Sequence, residues 1–344
     1  CGASGGRCCV LCQYICPGMD SFSRPGRLGL RIDRDRGHRS TTFEARCSSV
    51  CVKKAFLLNR VLPRTRNSSA RVGAGPPRPS SGRIRHEVAE NPAVEVTASG
   101  IPWNFSPVLD VARDARWPRF WETFGEAPQL VSDMGVAMVK GYQEGPAPIA
   151  ATLKHYVGYS RPLTGKDRTP AWIPERQLRQ IFLPPFAAAI DAGAASIMVN
   201  SGEVNGIPVH ADHHILTDIL REDLGFEGMV VTDWEDIKYL FKRHKVAANY
   251  KDAIEMAIHA GIDMSMVPGD LKFPGLLMEL VREGRISEAR IDESVRRILS
   301  MKYDLGLFRT GGMPPALADY PAKEGIEGTV ARAGLESIHL LQNA

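Results

Sequence analysis

Cysteine is missing from residues 52–344, because all seven cysteines lie within the first 51 positions. That absence excludes a disulfide framework, a thiolate metal site and a cysteine nucleophile from everything downstream. No stretch approaches 18 consecutive apolar residues, which excludes a membrane-crossing helix. Acidic residues are scarce at one end: residues 1–90 hold 15 Arg and 2 Lys against 6 Asp and Glu. The overall charge of +4 therefore averages a strongly basic segment with a body, residues 91–344, that is acidic by 7. The length of 344 residues allows one large domain or two ordinary ones.

Residues 1–90 scatter Arg, Ser, Gly and Pro, as in Arg24-Pro-Gly-Arg-Leu-Gly-Leu-Arg and Gly75-Pro-Pro-Arg-Pro-Ser-Ser-Gly-Arg. With few sustained apolar periods, such a segment cannot bury enough surface to offset its ordering entropy. The expectation is a disordered or misread segment outside the folded body. A basic nucleic-acid arm would interleave aromatics with its Arg, and this one does not. The spacings Cys9-x2-Cys12-x3-Cys16 and Cys47-x3-Cys51 raise a zinc reading, yet no matched knuckle follows and His38 stands alone. The run from Val10 to Ile15 is too short for a signal peptide and is broken by Gln13.

From about residue 95 the pattern becomes regular. Apolar, β-prone runs recur at Trp103–Val111, Ile149–Tyr156, Ala195–Asn200, Gly228–Trp234 and Gly261–Met266. Between them, helical periodicity spans roughly 127–144, 175–192, 212–223, 250–260, 271–284 and 287–303. Strand and helix in alternation predict an α/β fold with a parallel sheet covered by helices. Polar residues gathered just after the strands favour a (β/α)8 barrel, which builds its active site at the strands' C-terminal ends.

Four strand exits carry the candidate chemistry. Gly228-Met-Val-Val-Thr-Asp233-Trp234-Glu-Asp delivers a carboxylate beside an indole, the pairing that can attack an anomeric carbon and pack on a sugar's C–H face. The exit after Phe105–Val111 holds Arg113, Asp114, Arg116 and Arg119; the next holds Lys154-His155, and a third holds Ser201-Gly-Glu203-Val-Asn205-Gly. Each has a plain structural reading as an ion pair, a backbone-satisfying imidazole or a cap. Together, charge and indole on one rim fit a hydroxyl-rich ligand, whose buried hydroxyls each need a partner. His210, His213 and His214 invite a metal reading, but they precede an amphipathic segment and read more simply as helix-start polar residues.

The stretches Ile101-Pro-Trp-Asn-Phe-Ser-Pro-Val-Leu-Asp-Val-Ala-Arg-Asp-Ala-Arg-Trp-Pro-Arg-Phe-Trp-Glu, Lys154-His-Tyr-Val-Gly and Val230-Val-Thr-Asp-Trp-Glu-Asp-Ile, in that order, resemble the N-terminal barrel of glycoside hydrolase family 3. The likeness is to its β-glucosidase and exo-β-glucanase branch. It runs from about Thr97 to Phe308 within a domain placed at 91–308, and Ala331–Asn343 resembles the start of that family's α/β sandwich domain within 309–344. The resemblance implies hydrolysis of terminal non-reducing β-D-glucosyl residues by a retaining mechanism. Asp233 would be the nucleophile, Trp234 an aromatic wall, and Arg119, Lys154 and His155 hydroxyl donors, with Glu203 a further substrate-binding candidate. No metal or organic cofactor is required, and the implied partner is a β-glucoside or β-glucan oligosaccharide rather than nucleic acid or membrane. The family's secreted or periplasmic habit is the only pointer to localisation.

Departures shape the expectation further. Tyr159-Ser-Arg-Pro-Leu-Thr-Gly-Lys-Asp-Arg168-Thr-Pro lacks the Asp-Ser-His element of the family's β-N-acetylhexosaminidases. No Gly-Ile-Asp motif of the early barrel strands stands in residues 1–90, and the general acid/base Glu of this branch comes from the second domain. An incomplete barrel and a chain nearly inactive on natural β-glucosides are therefore expected, since losing a general acid costs about 10² to 10⁴ in rate. Glu203 and Glu235 are the internal carboxylates that could substitute. The alternatives are a non-catalytic fragment with weak carbohydrate binding, and a β-xylosidase or broad β-glycosidase.

Overall fold

The computed structural model describes residues 93–145, 147–311 and single positions between 328 and 335; the expectations for residues 1–90, including the zinc reading, and for the second domain lie outside these. A parallel sheet runs through the described region. Its strands are β1 (Thr152–Tyr156), β2 (Ser196–Val199) and, after the short pair described below, β5 (Met229–Val231), hydrogen-bonded in the order β1-β2-β5. Single parallel bridges extend the sheet at both sides, Trp103 to Ala150 and Val108 to Lys154 at one, Val231 to Met264 at the other. Five successive parallel runs therefore stand side by side in chain order.

Alternation along the strands separates two environments. Leu153, Ile197, Val199 and Val230 pack with helix residues such as Val131, Met138, Phe186, Ile219 and Ile254 in the main core. Met198, Met229 and Val231 point the other way and pack with Trp103 and Met266. On that inner face Thr152 and Ser196 hydrogen-bond each other at 2.8 Å, and both accept from the Trp103 indole N–H, at 2.8 and 3.0 Å. Three buried polar groups thus satisfy one another, which removes the cost of burying them singly.

The covering helices are α1 (Pro128–Gln143), α2 (Pro184–Asp191), α3 (His214–Asp223, wound as a wider π-helix), α4 (Asp236–Lys242), α5 (Tyr250–Ala260), α6 (Lys272–Arg282) and α7 (Glu288–Asp304). Helix α1 starts on a proline whose missing N–H costs nothing there. Helices α5 and α7 are capped by Asn249 and Ser287, whose side chains accept from the amides of Asp252 and Arg290. None of the described helices is long and apolar enough to cross a membrane.

Two expectations are corrected and one helix is added. Trp103–Val111 forms isolated bridges rather than a strand, because Pro107 has no N–H to give to a ladder. The helix expected over 175–192 is broken into Glu175–Gln177, a wide turn Leu178–Phe182 and α2, since Pro184 and Pro185 cannot donate to the preceding turn. Helix α4, directly after Asp233, has no counterpart among the periodic segments read from sequence, being only seven residues long. Between β2 and α3 lies an antiparallel hairpin, β3 (Glu203–Val204) with β4 (Ile207–Pro208), turning on Asn205 and Gly206 with φ of 52° and 86°. Positive φ at both positions is the two-residue hairpin geometry that an Asn-Gly pair adopts without strain.

Candidate active site

The strand exits frame a pocket of about 390 Å³. Its lining brings together Arg119, Lys154, His155, Asp233 and Trp234, five residues expected from sequence, and adds Arg168. Phe105, Met198, Met266 and Pro268 supply the apolar remainder. Two guanidinium groups, an ammonium and an imidazole thus share the lining with one carboxylate, Asp233 being the single acid in it.

The β1 side is braced. Lys154 and His155 are the third and fourth residues of β1, joined by a cis peptide. The His155 ring Nδ1 lies 2.8 Å from Asp110 Oδ2, and the His155 amide donates to the same oxygen at 3.1 Å. Because that oxygen already accepts the amide, the ring proton belongs on Nδ1 and Nε2 is left as an acceptor. Burial drives the imidazole well below its ordinary value, with Arg119 and Lys154 adding to the effect, so the ring is neutral. Burial also pushes the Asp110 carboxyl up to about 7, against the pull of Arg119 and the His155 amide.

Arg119 is held in a bidentate pair with Glu122 at 2.8 and 2.7 Å, and its guanidinium lies 5.4 Å from the Tyr159 ring centre. Tyr159 in turn meets His155 and the buried Trp117 edge-on at 4.9 and 5.2 Å. This ladder of rings fixes the Arg119 fork before any ligand arrives. Lys154 is half-buried, and burial followed by the nearby Arg119 charge lowers its ammonium from the ordinary lysine value.

Arg168 comes from the loop after β1, a stretch read in the sequence only for its lack of histidine. Its φ of 56° turns the side chain into the pocket, with Nη2 3.8 Å from Asp233 Oδ2. The loop is tied by the Thr164–Thr169 hydroxyl pair at 2.7 Å, by Trp117 Nε1 donating to Asp167 at 3.0 Å, and by Arg243 donating to the Arg168 carbonyl. An arginine near a rigid glycine, Gly165 at φ 74°, was the available signal, and it is too common to single out.

Asp233 sits where β5 gives way to α4. Thr232 donates its amide to Met264 O at 3.0 Å and accepts the Met266 amide on its hydroxyl at 2.8 Å, while the Glu235 amide reaches Met266 O at 2.9 Å. These bonds pin the exit. Asp233 Oδ1 accepts the Trp234 amide at 2.6 Å, and Oδ2 accepts the Ser201 hydroxyl at 2.9 Å. Ser201 is positioned by Asn200, whose side chain donates to Val157 O and accepts from the Gly202 amide. The Trp234 indole is 51% exposed at the mouth, free to cover a ligand.

The remaining candidates lie elsewhere. Glu203 is outside the lining, on β3, with Oε1 2.5 Å from His244 Nδ1; the hairpin that follows β2 carries it away from the exit. Glu235 adopts φ 58° and pairs with Lys238 at 2.8 Å. His210 is buried beside Asp236, whereas His213 and His214 lie on the surface against Asp218 at 3.1 and 3.0 Å, so the three do not converge. A separate, apolar cavity of about 300 Å³, between α7 and the sheet edge, contains none of these side chains.

Comparison with known proteins adds independent findings. The model of the glycosyl hydrolase family 3 N-terminal domain matches residues 79–301, a span that begins inside the Arg-rich segment. A lysosomal β-glucosidase of Dictyostelium discoideum is 51% identical over 261 residues, covering 72% of this chain and 32% of the relative. A β-xylosidase of Formosa agariphila is 38% identical over 235 residues, covering 64% of this chain and 32% of its own length. The solved structure of a mutant β-glucosidase from Listeria innocua in complex with laminaribiose superposes with a TM-score of 0.71 at 31% identity, covering 83% of this chain and 38% of that one. This chain spans about a third of the length of the curated relatives it matches.

Proposed function

Because this chain belongs to glycosyl hydrolase family 3 and carries the TIM-barrel-type domain of its β-glucosidases, we propose that its pocket binds the terminal β-D-glucosyl unit of a β-glucoside or β-glucan oligosaccharide. Asp233 attacks the anomeric carbon. One carboxylate oxygen forms the new C–O bond as the bond to the aglycone breaks, and the leaving oxygen departs with the electron pair. Water then hydrolyses the glycosyl ester with net retention. The observation that carries this reading is the single carboxylate facing Arg119, Lys154, His155 and Arg168 under an exposed indole.

Each wall has a share in that chemistry. The neutral His155 offers Nε2 as an acceptor for a sugar hydroxyl, while Arg119, Lys154 and Arg168 offer donors. Trp234 covers the C–H face and excludes water. No second carboxylate lines the pocket among the described residues, so the proton for a sugar leaving group must come from outside that lining. An activated leaving group bypasses this need.

A 2-deoxy-2-fluoro-β-glucoside with a dinitrophenolate leaving group therefore tests the nucleophile directly. Peptide mapping should find the fluoroglucosyl ester on Asp233; a folded, unlabelled chain, or a label on another residue, overturns the reading. The likeness to a β-xylosidase supports a second reading, a pentosyl substrate. Faster labelling by the matching 2-fluoro xyloside would favour it over the glucoside.

A further inference from the structure

Beneath Asp233 lies a group of side chains that the chemistry above leaves idle. Ser201 Oγ stands 2.9 Å from Asp233 Oδ2 and 2.5 Å from Asp236 Oδ2. Asp236 and His210 are each only 3% exposed, and His210 Nε2 lies 3.7 Å from Asp236 Oδ2. Neither His210 Nε2 nor Asp236 Oδ1 has a hydrogen-bond partner. Glu235, at φ 58°, makes the left-handed turn that lets residues 233 and 236 approach one hydroxyl from the two sides of the strand-to-helix corner.

Proton counting decides the state of this group. A serine hydroxyl carries one proton, so it can donate to one carboxylate and not to two. Were both carboxylates ionised, lone pairs would face each other across one of the two short contacts. One more proton is needed, and the surroundings say where it sits. Asp233 has the Trp234 amide at 2.6 Å and the Arg168 guanidinium at 3.8 Å to sustain a negative charge. Asp236 faces a hydroxyl oxygen and an imidazole nitrogen that lacks a partner, both able to accept.

Resting on the assignment of Asp233 as nucleophile, we propose that Asp236 is a protonated positioning residue: its carboxyl donates to Ser201 Oγ, whose hydroxyl then donates to Asp233 Oδ2 and fixes the attacking carboxylate. The relay transfers no proton to the sugar. It keeps one negative charge, rather than two, under the anomeric carbon and aims that charge at the pocket. Burial raises the Asp236 carboxyl to about 7, the Asp233 charge adds to the rise, and Ser201, Arg168 and Arg243 oppose it. His210, the remaining titratable neighbour, is held down to about 3 by burial and is therefore neutral across the relevant range. Above about pH 7 the relay loses its proton and Ser201 can no longer serve both carboxylates.

The test uses the full chain and two readouts. Difference infrared spectroscopy of the wild type against Asp236→Asn should show a buried protonated carboxyl lost as pH rises through about 7, the Asp110 carboxyl, raised to the same range, being common to both proteins and cancelling. In Asp233→Asn the same band should disappear at lower pH, because the neighbouring charge is gone. The rate of Asp233 labelling by the activated 2-fluoro glucoside, which needs no general acid, should fall on the alkaline side. Asp236→Asn should lower that rate in acid by about threefold and abolish the alkaline limb, while Ser201→Ala should lower it by about tenfold throughout. Absence of the band from the wild-type-against-Asp236→Asn difference, or an unchanged alkaline limb in Asp236→Asn, overturns the proposal. A wild type that shows the band but takes no label instead overturns the nucleophile assignment, leaving the shared proton standing.

Discussion

The two walls of the pocket are built on opposite terms. On the β1 side, Asp110, His155, Arg119 and Glu122 are paired in short, well-directed contacts, and rings from Trp117, Tyr159 and His155 lock them. On the β2 and β5 side, two carboxylates share one hydroxyl, and a buried imidazole nitrogen and carboxylate oxygen go unpartnered. Under the proposed function, the first wall holds its geometry for a fixed pattern of sugar hydroxyls. The second, on the same proposals, keeps an adjustable proton where charge changes during the reaction. Recognition favours full pairing, because an unpaired buried group loses more than a bond contributes. Covalent chemistry tolerates incomplete pairing, because the nucleophile's charge appears and disappears.

That contrast can be broken by mutation. Asp233→Asn should reduce glycosylation by about 10⁴-fold or more, measured as labelling or turnover at saturating substrate; a loss below tenfold would move the nucleophile elsewhere. Asp110→Ala strips the partner from two buried donors and should cost about 3 kcal/mol of stability, seen in denaturant midpoints, with weaker binding of glucose analogues. If Asp110→Ala weakens neither, the β1 wall is not the rigid one.

A subtler probe is the acid side of stability. His210 is neutral in the fold, held down to about 3, whereas an unfolded imidazole titrates near about 6.5. Acid therefore protonates the unfolded chain first, so the His210 contribution is present above about 6.5 and is lost as pH falls towards about 3. Denaturant midpoints over that window should decline less in His210→Gln than in the wild type, by a difference of a few kcal/mol at most. Equal slopes would place His210 in contact with solvent. The smallest effect is expected from Glu203→Gln, which loosens the partly exposed His244 contact by about 1 kcal/mol or less and leaves the labelling rate unchanged. A large loss of labelling would return Glu203 to the binding site.

Legibility in the sequence followed the length scale of each contact. Strands β1, β2 and β5 and helices α1, α5, α6 and α7 follow from local periodicity, which each segment carries within itself. Over Trp103–Val111 and 175–192 periodicity predicts more regular elements than form, since prolines remove donors that periodicity does not register. Asp233, Trp234, Lys154, His155 and Arg119 stood out because each lies at or just beyond a recognisable strand exit. Arg168 did not, because only the braced fold of its loop carries it back to Asp233.

Alone, then, the sequence determined the alternation of strands and helices, the rim on which charged residues gather, and a motif order that resembles one family. These depend on side-chain period and neighbours along the chain. Only the tertiary structure decided that Glu203 leaves the rim with its hairpin, that Arg168 enters the pocket, and that Ser201 stands between Asp233 and Asp236. Those outcomes turn on register between strands and on the direction of a single corner, where a left-handed residue at Glu235 sets which carboxylates meet.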